Sequence, residues 1–340
     1  MNRPTLQDIA RQLGLSKMTV SRALRGEPHV RRDVVEAVHA TADALGYRPD
    51  PEISKLMSHM RRTRRSESPR TLAFIWAEKS AGELRQSSWS MQLVSGARTR
   101  ATQLGFELAE FHLAEKGMTA PRLSTILEAR GIPGFILSPL ISRSRGHVSM
   151  RWEKFSSAMI GLGFARPPQH RVHHHHFLGM METLRQLKKQ GYRRIGFFSG
   201  ATIDERMFGA WSASFLTHHP LPRSEAVKLL CLRREPTRQA LHEWMSKARP
   251  EAIIDGGQLI WSWLKGIRIP EELGYATLSW QADQADRAGI DQQADVLGAA
   301  AVDLVVEQFH HNERGTPLHP KIVMTAGEWR AGPSVRKVKP

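Results

Sequence analysis

Residues 5–24 read TLQDIARQLGLSKMTVSRAL, a stretch that predicts two short helices joined by a tight turn. Thr5 is an N-cap residue, and Asp8 stands three positions later, where its carboxylate can accept from the capping backbone amide. Gly14 ends the first helix because it tolerates a left-handed backbone. The spacing of Ala10, Gly14 and Val20 matches a helix-turn-helix, in which a small residue lets the helices approach and a valine holds the second from beneath.

A second and a third helix complete the N-terminal module. Ser16 is the expected cap of the second helix, over residues 17–24. The third is predicted over residues 33–45, with Gly46 at its end. A chance three-helix bundle is the competing interpretation of this pattern.

Several short motifs here together resemble the head of the LacI/GalR family of bacterial transcriptional regulators. They are TLQDIA at 5–10, GLS at 14–16, TVSRAL at 19–24 and LGYRP at 45–49. The resemblance covers roughly residues 5–57, and it implies that the start of the second helix enters the major groove of DNA.

The resemblance also implies roles for individual residues. Lys17 and Met18 stand where the family reads bases, and Arg22 stands at its guanine contact, which suits the forked donors of arginine. Met18 would read a base methyl group or simply pack. The hydroxyl residues are better suited to phosphates and to positioning the helix, so the expected DNA-binding set includes Thr5, Ser16, Thr19 and Ser21.

A hinge helix that folds on DNA is implied next, over PEISKLM at 51–57. Leu56 matches the leucine with which the family wedges open the minor groove, and Lys55 is placed beside it on the DNA. Ser54 and Lys55 replace the family's usual Ala and Arg, a departure that concerns the hinge geometry.

Charge points to the same end of the chain. The 340 residues hold 49 Lys and Arg against 33 Asp and Glu, a formal net charge of +16. The first 70 residues alone carry 14 basic against 8 acidic residues, which favours a polyanionic partner. The Arg-rich residues 61–70 predict a linker, so the expected domains are 1–60, 61–70 and 71–340.

From residue 71 onward, apolar strand-length blocks alternate with helical stretches, which predicts parallel sheets with crossover helices. The fold class is therefore α/β: a helix-turn-helix head and a hinge helix, then a two-lobed, periplasmic-binding-protein-like core. Such a core would bind a ligand between its lobes, at the carboxyl ends of the strands. Predicted strands cover 71–77, 106–113, 134–140, 157–163, 194–200, 227–232, 252–255, 275–280 and 321–325, and predicted helices cover 90–104, 120–129, 177–190, 206–216, 237–247, 258–264 and 297–312.

A small-molecule effector site is expected in that cleft. Arg206 stands where the family often places its effector-binding arginine, although a surface arginine at a helix start is the competing interpretation. The family's late effector-binding Asp is replaced here by Ser-Trp-Gln at 279–281. Trp280 could stack on a sugar or be buried. The remaining candidates for the ligand site are His175, Asp255 and Gln292.

The run of four histidines at 173–176 does not predict a metal site, because adjacent side chains on an extended chain point in alternate directions. A structural or pocket-lining role is expected instead, with pH sensing as an alternative. Cys231, the single cysteine, excludes an intrachain disulfide and is expected in the core. No catalytic motif is present, so we expect neither an enzyme nor a cofactor.

Together these features predict a DNA-binding transcriptional regulator, in the role of a repressor, that responds to a carbohydrate-like effector. A homodimer would bind a near-palindromic, double-stranded operator. A solute-binding receptor shares the core and is the alternative, but it lacks such a head; a nucleotide-binding enzyme would need a phosphate loop. No signal peptide or membrane span is evident, so a cytoplasmic protein is expected.

Overall fold

The computed structural model describes residues 4–24, 30–47, 70–78, 87–140, 148–163, 166–258 and 260–336. The chain divides into two compact units: one contains Met1–Pro69, called the head, together with Val306–Arg314, and the other contains Arg70–Val305 and Gly315–Pro340, called the core. The hinge residues Lys55 and Leu56 and most of the Arg-rich segment 61–70 lie outside the described residues, so the predicted hinge helix and linker stay predictions.

The head contains the three predicted helices: α1 (Leu6–Leu13), α2 (Lys17–Leu24) and α3 (Arg32–Leu45). The Asp8 carboxylate accepts from the Thr5 backbone amide at 2.8 Å and from the Thr5 hydroxyl at 2.7 Å. Gly14 takes the left-handed conformation at the end of α1, with φ of 64°. The Ser16 hydroxyl accepts from the Thr19 amide at 3.0 Å, which confirms it as the cap of α2.

The three helices enclose one small apolar core. Ile9, Val20, Ala23 and Val38 have no solvent exposure, and Ala10 and Ala42 are 5% exposed. Ala10 and Val20, the two residues predicted to hold the helices together, therefore both lie in this closed core, as a helix-turn-helix requires.

The first lobe of the core is built on a sheet with strand order β11-β5-β4-β3-β1-β2, in which all the described pairs are parallel. Parallel strands need crossover helices, and these cover the sheet faces. The elements are β1 (Arg70–Trp76), α4 (Ser88–Gln103), β2 (Phe106–His112), α5 (Ala120–Ala129), β3 (Gly134–Leu137), β4 (Ser156–Ile160), β5 (His170–His174) and β11 (Ile322–Thr325).

The second lobe repeats the plan with strand order β12-β10-β9-β8-β6-β7, in which only the pair β10 and β12 is antiparallel among the described residues. Its helices and strands are α6 (His176–Lys189), β6 (Ile195–Gly200), α7 (Ala201–Arg206), α8 (Ala210–His218), α9 (Arg223–Ala226), β7 (Leu230–Arg233), α10 (Arg238–Ala248), β8 (Ala252–Asp255), β9 (Gly274–Trp280), β10 (Ala288–Asp291) and β12 (Glu328–Arg330).

The chain passes between the lobes at three crossovers in its described part. The first runs from β5 through His175 into α6, which packs on the second sheet. The second leaves β10 through residues 292–293 and enters the long helix α11 (Ala294–His311). The third joins β11 to β12 through Ala326 and Gly327. These three segments form the hinge between the lobes, which is distinct from the predicted hinge helix at 51–57.

Helix α11 returns to the first lobe by packing tightly against α4. A Cβ placed on Gly298 would lie 2.1 Å from the Leu93 carbonyl oxygen, and one on Gly96 would lie 2.0 Å from the Asp295 carbonyl oxygen. Both contacts are far inside van der Waals distance, so the two glycines are required for the helices to cross at this separation.

Several predicted elements are corrected by the structure. The helix predicted over 206–216 is α8 (Ala210–His218), and a separate, unpredicted helix α7 (Ala201–Arg206) precedes it; Phe208 and Gly209 adopt left-handed backbone angles between the two. The predicted helix 258–264 is a short 3-10 turn, Trp261–Leu264, and residues 227–229 form a 3-10 turn ahead of β7. Strands β5, β10 and β12 were not predicted.

The described helices include none that is both long enough and apolar enough to cross a lipid bilayer.

Candidate functional site

The first candidate site is the exposed surface of α2 in the head. Val20 and Ala23 face the head core, which turns the opposite side of the helix to solvent. Lys17 and Arg22 are exposed there, and Met18 is 63% exposed. The exposure of Met18 excludes the packing role considered for it, so its thioether is available to an apolar base edge.

The hydroxyl residues of the head make bonds within the head. The Ser16 and Thr19 hydroxyls lie 2.8 Å apart, and the Thr5 hydroxyl donates to Asp8. These bonds fix the starts of α1 and α2. Thr5 and Ser16 are exposed, whereas Thr19 and Ser21 are half-buried. Each exposed hydroxyl oxygen keeps a second hydrogen-bonding capacity, so a phosphate contact is compatible with this geometry.

The second candidate site is the cleft between the two lobes of the core. Helix α7 begins directly after β6, at the carboxyl edge of the second sheet, and ends with Arg206. Burial lowers the pKa of the Arg206 guanidinium, while the charge of Glu78, which follows β1 of the first lobe, opposes that effect. Arg206 and Glu78 are therefore electrostatic neighbours across the cleft.

Arg206 lies at the end of α7 and not at a helix start, which corrects the sequence-based interpretation. A cation is favoured at the carboxyl end of a helix. The chain turns sharply after it: Phe208 has φ of 53° and is 76% exposed, and Gly209 has φ of 70°. Asp204 holds this turn, because its carboxylate accepts from the Ser212 amide at 3.1 Å and the Ser212 hydroxyl at 2.6 Å.

His175 is the N-cap of α6. Its Nδ1 accepts a hydrogen bond from the Leu178 amide at 3.3 Å, and the side chain is half-buried. The imidazole thus serves as the hydrogen-bond acceptor that caps the helix.

Asp255 lies in the interior of the second lobe and not at a pocket rim. It has no solvent exposure, and its carboxylate accepts from the Gly257 amide at 2.9 Å, the Ile260 amide at 3.0 Å and the Tyr275 hydroxyl at 3.0 Å. These bonds shape the turn that follows β8, which is a structural role.

The side chains of Trp280 and Gln292 both donate hydrogen bonds to backbone carbonyl groups. The Trp280 indole donates to the Arg287 carbonyl at 3.0 Å, and the Gln292 amide donates to the Leu278 carbonyl at 2.7 Å. The Trp280 ring is half-buried, with the Arg330 guanidinium carbon 5.8 Å from its centre. It lines a cavity of about 810 Å³ together with Met91 and Gln92 of α4.

The structure therefore divides the five predicted ligand residues. Arg206 interacts with Glu78 of the first lobe, and Trp280 lines the cavity whose walls come from α4 of the first lobe and from the second lobe. His175, Asp255 and Gln292 each use a polar side-chain atom to hold the backbone. Glu78 was missed, although its position directly after the first strand of a parallel sheet was a usable signal.

Comparison with known proteins supports the assignment of the head. Residues 5–50 match the family model described as bacterial regulatory proteins of the lacI family. Over 56 residues the chain is 43% identical to the HTH-type transcriptional regulator GntR of Pseudomonas aeruginosa; this match spans 16% of either protein.

The fold of the whole chain is found in solved regulators of low identity. A complex of the transcriptional regulator CelR with cellobiose has a TM-score of 0.59 at 19% identity, over 98% of this chain and 100% of that one. The lac repressor dimer bound to operator and an anti-inducer has a TM-score of 0.55 at 16% identity, over 99% and 100%.

A core-only neighbour is the regulator CCPA of Weissella paramesenteroides with bound glucose. Its TM-score is 0.56 at 15% identity, over 78% of this chain and 98% of that one. Residues 5–50 thus match the model of the lacI family of bacterial regulatory proteins, and the chain as a whole has the fold of these solved transcriptional regulators.

Proposed function

We propose that this protein is a transcriptional regulator, acting as a repressor, whose affinity for a DNA operator is changed by a small molecule bound between the lobes of its core. The observation that carries this proposal is the surface of α2. Lys17, Met18 and Arg22 are exposed on a helix whose opposite side is closed over Val20 and Ala23. A rigid helix with exposed donors and one apolar side chain suits the major groove.

The operator would be a near-palindrome read by two copies of the head. A single helix-turn-helix reads a short half-site, and symmetric pairing of two heads doubles the sequence read. The operator-bound dimer among the structural neighbours supports this arrangement. Leu56 and Lys55 are proposed to act at the minor groove between the half-sites, and the protein would act in the cytoplasm.

The effector is proposed to be carbohydrate-like. Arg206 and Glu78 give the cleft one cation and one carboxylate, which can bind hydroxyl groups or the charged groups of a sugar derivative. The cellobiose complex and the glucose-bound structure among the structural neighbours make sugars the first class to screen. Arg206 is the residue of the predicted set that best suits direct contact.

The DNA test selects a binding sequence from random duplexes and measures its affinity against a scrambled duplex over a salt series. Specific binding should exceed scrambled binding by about 1,000-fold or more at physiological salt, and both affinities should fall as salt rises. Equal affinity for the two duplexes would remove sequence-specific regulation as the function.

The effector test is a thermal-shift screen of sugars, sugar phosphates and sugar acids, since a ligand of the folded state raises the melting temperature. Arg206→Ala should abolish the shift given by any hit. Arg185, an exposed arginine paired with Glu182 on α6, is the matched control, and Arg185→Ala should leave the shift unchanged.

A further inference from the structure

The histidine run at 173–176 coincides with the first crossover between the lobes. His173 and His174 end strand β5 of the first lobe, His175 caps α6, and His176 is its first residue. His173, His174 and His176 are each 7% exposed or less. A titratable run of this kind therefore forms part of the hinge itself.

The His174 ring touches two other segments of the hinge region. A Cβ added to Gly327, in the third crossover, would lie 2.6 Å from His174 Cε1, and one added to Gly179 of α6 would lie 2.6 Å from His174 Nε2. The same added Cβ on Gly327 would lie 2.7 Å from the carbonyl oxygen of Asp291, the last residue of β10, where the second crossover begins. The ring thus fills a space that only glycines leave open, where the crossovers meet.

His176 extends this cluster into the second lobe. Its ring stacks on His173 with centroids 5.9 Å apart, and it meets the edges of His174 and Trp211 at 5.2 Å each. The Nδ1 atoms of His174 and His176 are buried without a hydrogen-bond partner among the described residues. Protonation would place a charge on a buried ring, which is unfavourable; at His174 a hydrogen bond with the Thr325 backbone offsets part of that cost.

The charged groups around the cluster oppose protonation on balance. Arg171 of β5 faces His173 and Arg206 faces His176, and both lower the histidine pKa values. Asp291 acts in the opposite direction on His174, but Arg330 binds its carboxylate at 2.9 Å. Burial is the largest cause in each case, and it lowers the pKa of His174 to about 4.

We propose that this crossover is a pH-sensitive hinge, packed shut while His174 and His176 are neutral and opened to water when they are protonated. Acid would then loosen the junction between the lobes before it unfolds either sheet. The device needs no ligand and is independent of the DNA-binding role.

Hydrogen–deuterium exchange on the full chain tests the proposal at pH 7.5 and 5.0, with rates corrected for the intrinsic pH dependence of exchange. Peptides covering residues 174–180 and 325–330 report the hinge, and the helix α10 is the internal reference. A His174 pKa of about 4 in the closed hinge and 6.5 in the open one predicts that the opening constant rises roughly 30-fold at pH 5.0. The reference peptide should exchange more slowly than the hinge peptides at both pH values, because its amides open only when the lobe unfolds.

Two variants assign the response to the histidines. His174→Gln removes one titratable ring and should reduce the hinge response at least threefold. His176→Gln removes the second buried ring and should reduce the response at least twofold, so it serves as the test if His174→Gln does not fold. His242→Gln, at an exposed site on α10, should leave the full response.

Three results would overturn the proposal. The first is a wild-type hinge whose corrected exchange is the same at both pH values. The second is a set of hinge peptides that exchange no faster than the reference peptide at pH 5.0, because that indicates that the hinge opens only by global unfolding. The third is a hinge response that persists at full size in every variant that folds.

Discussion

The Tyr275 hydroxyl donates a 3.0 Å hydrogen bond to the Asp255 carboxylate, and both residues have no solvent exposure. The same carboxylate accepts the amides of Gly257 and Ile260 in the turn after β8. The buried Asp255 side chain thereby holds the turn at the carboxyl edge of the second sheet. An acidic residue in this register can be mistaken for a ligand contact when only the sequence is known.

Tyr275→Phe should lower the free energy of unfolding by about 1–3 kcal/mol, because it removes one donor from a buried carboxylate. Urea denaturation measures this loss. Tyr192→Phe is the matched control: the Tyr192 hydroxyl accepts from the amide of exposed Arg336, which water can replace, so its cost should be smaller. Unchanged stability in Tyr275→Phe together with a lost effector response would instead place Asp255 in the ligand site.

Gly298→Ala should destabilise the core by about 1–3 kcal/mol, because the new methyl group would collide with the Leu93 carbonyl where α11 crosses α4. The opposite result follows from intrinsic helix propensity alone, which favours alanine by about 1 kcal/mol. Thermal or urea unfolding decides between them. Thr99→Ala, on the exposed side of α4, should change stability by less than about 0.5 kcal/mol.

The head was predictable because its determinants are local. Gly14 and Ser16 act within one turn of their own helices, and Ala10 meets Val20 across a ten-residue spacing. The core strands β1, β3 and β8 were found for a related reason, since continuous apolar runs signal strands buried on both faces.

The elements that were missed depend on long-range partners. Strand β5 reads HRVHH, which lacks an apolar pattern, and it is a strand because it is enclosed by β4 and β11. Strand β12 has three residues and is defined by its antiparallel pairing with β10. The direction in which Gln292 points is set by the Leu278 carbonyl of a neighbouring strand, which spacing along the chain does not reveal.

Buried histidines should make the whole protein less stable in mild acid. Burial lowers the pKa values of His173, His174, His176 and His219 in the folded state, so the unfolded chain binds more protons below pH 6.5. Stability is therefore complete above pH 6.5 and falls as the pH drops toward 4. Protonation of His174 alone should lower the free energy of unfolding by about 2 kcal/mol at pH 5. Urea midpoints at pH 7.5, 6 and 5 measure the slope, and a flat profile would contradict the burial of these rings as neutral groups.

Arg22→Ala should relax base choice at one position of each half-site and cost about 1–3 kcal/mol of specific binding, because alanine cannot donate to both acceptors of guanine. Arg22→Lys should recover only part of the loss, since lysine lacks the fork. Anisotropy titrations with each base at that position measure the change. A uniform loss on all four sequences would make Arg22 a phosphate contact, and Arg185→Ala in the core should have no effect.

Met18 should read a thymine methyl group, because its side chain is 63% exposed on the DNA-reading surface of α2 and cannot donate a hydrogen bond. Replacing a contacted thymine by uracil removes only that methyl group, and wild-type affinity should fall about threefold, consistent with roughly 0.8 kcal/mol for one buried methylene-sized group. Met18→Ala should bind the two operators equally, so the two changes form a double-mutant cycle. Scanning uracil through each thymine of the half-site locates the contact. If Met18→Ala retains the full discrimination at every thymine, the methyl group is read by another residue and the exposed thioether has no part in base choice.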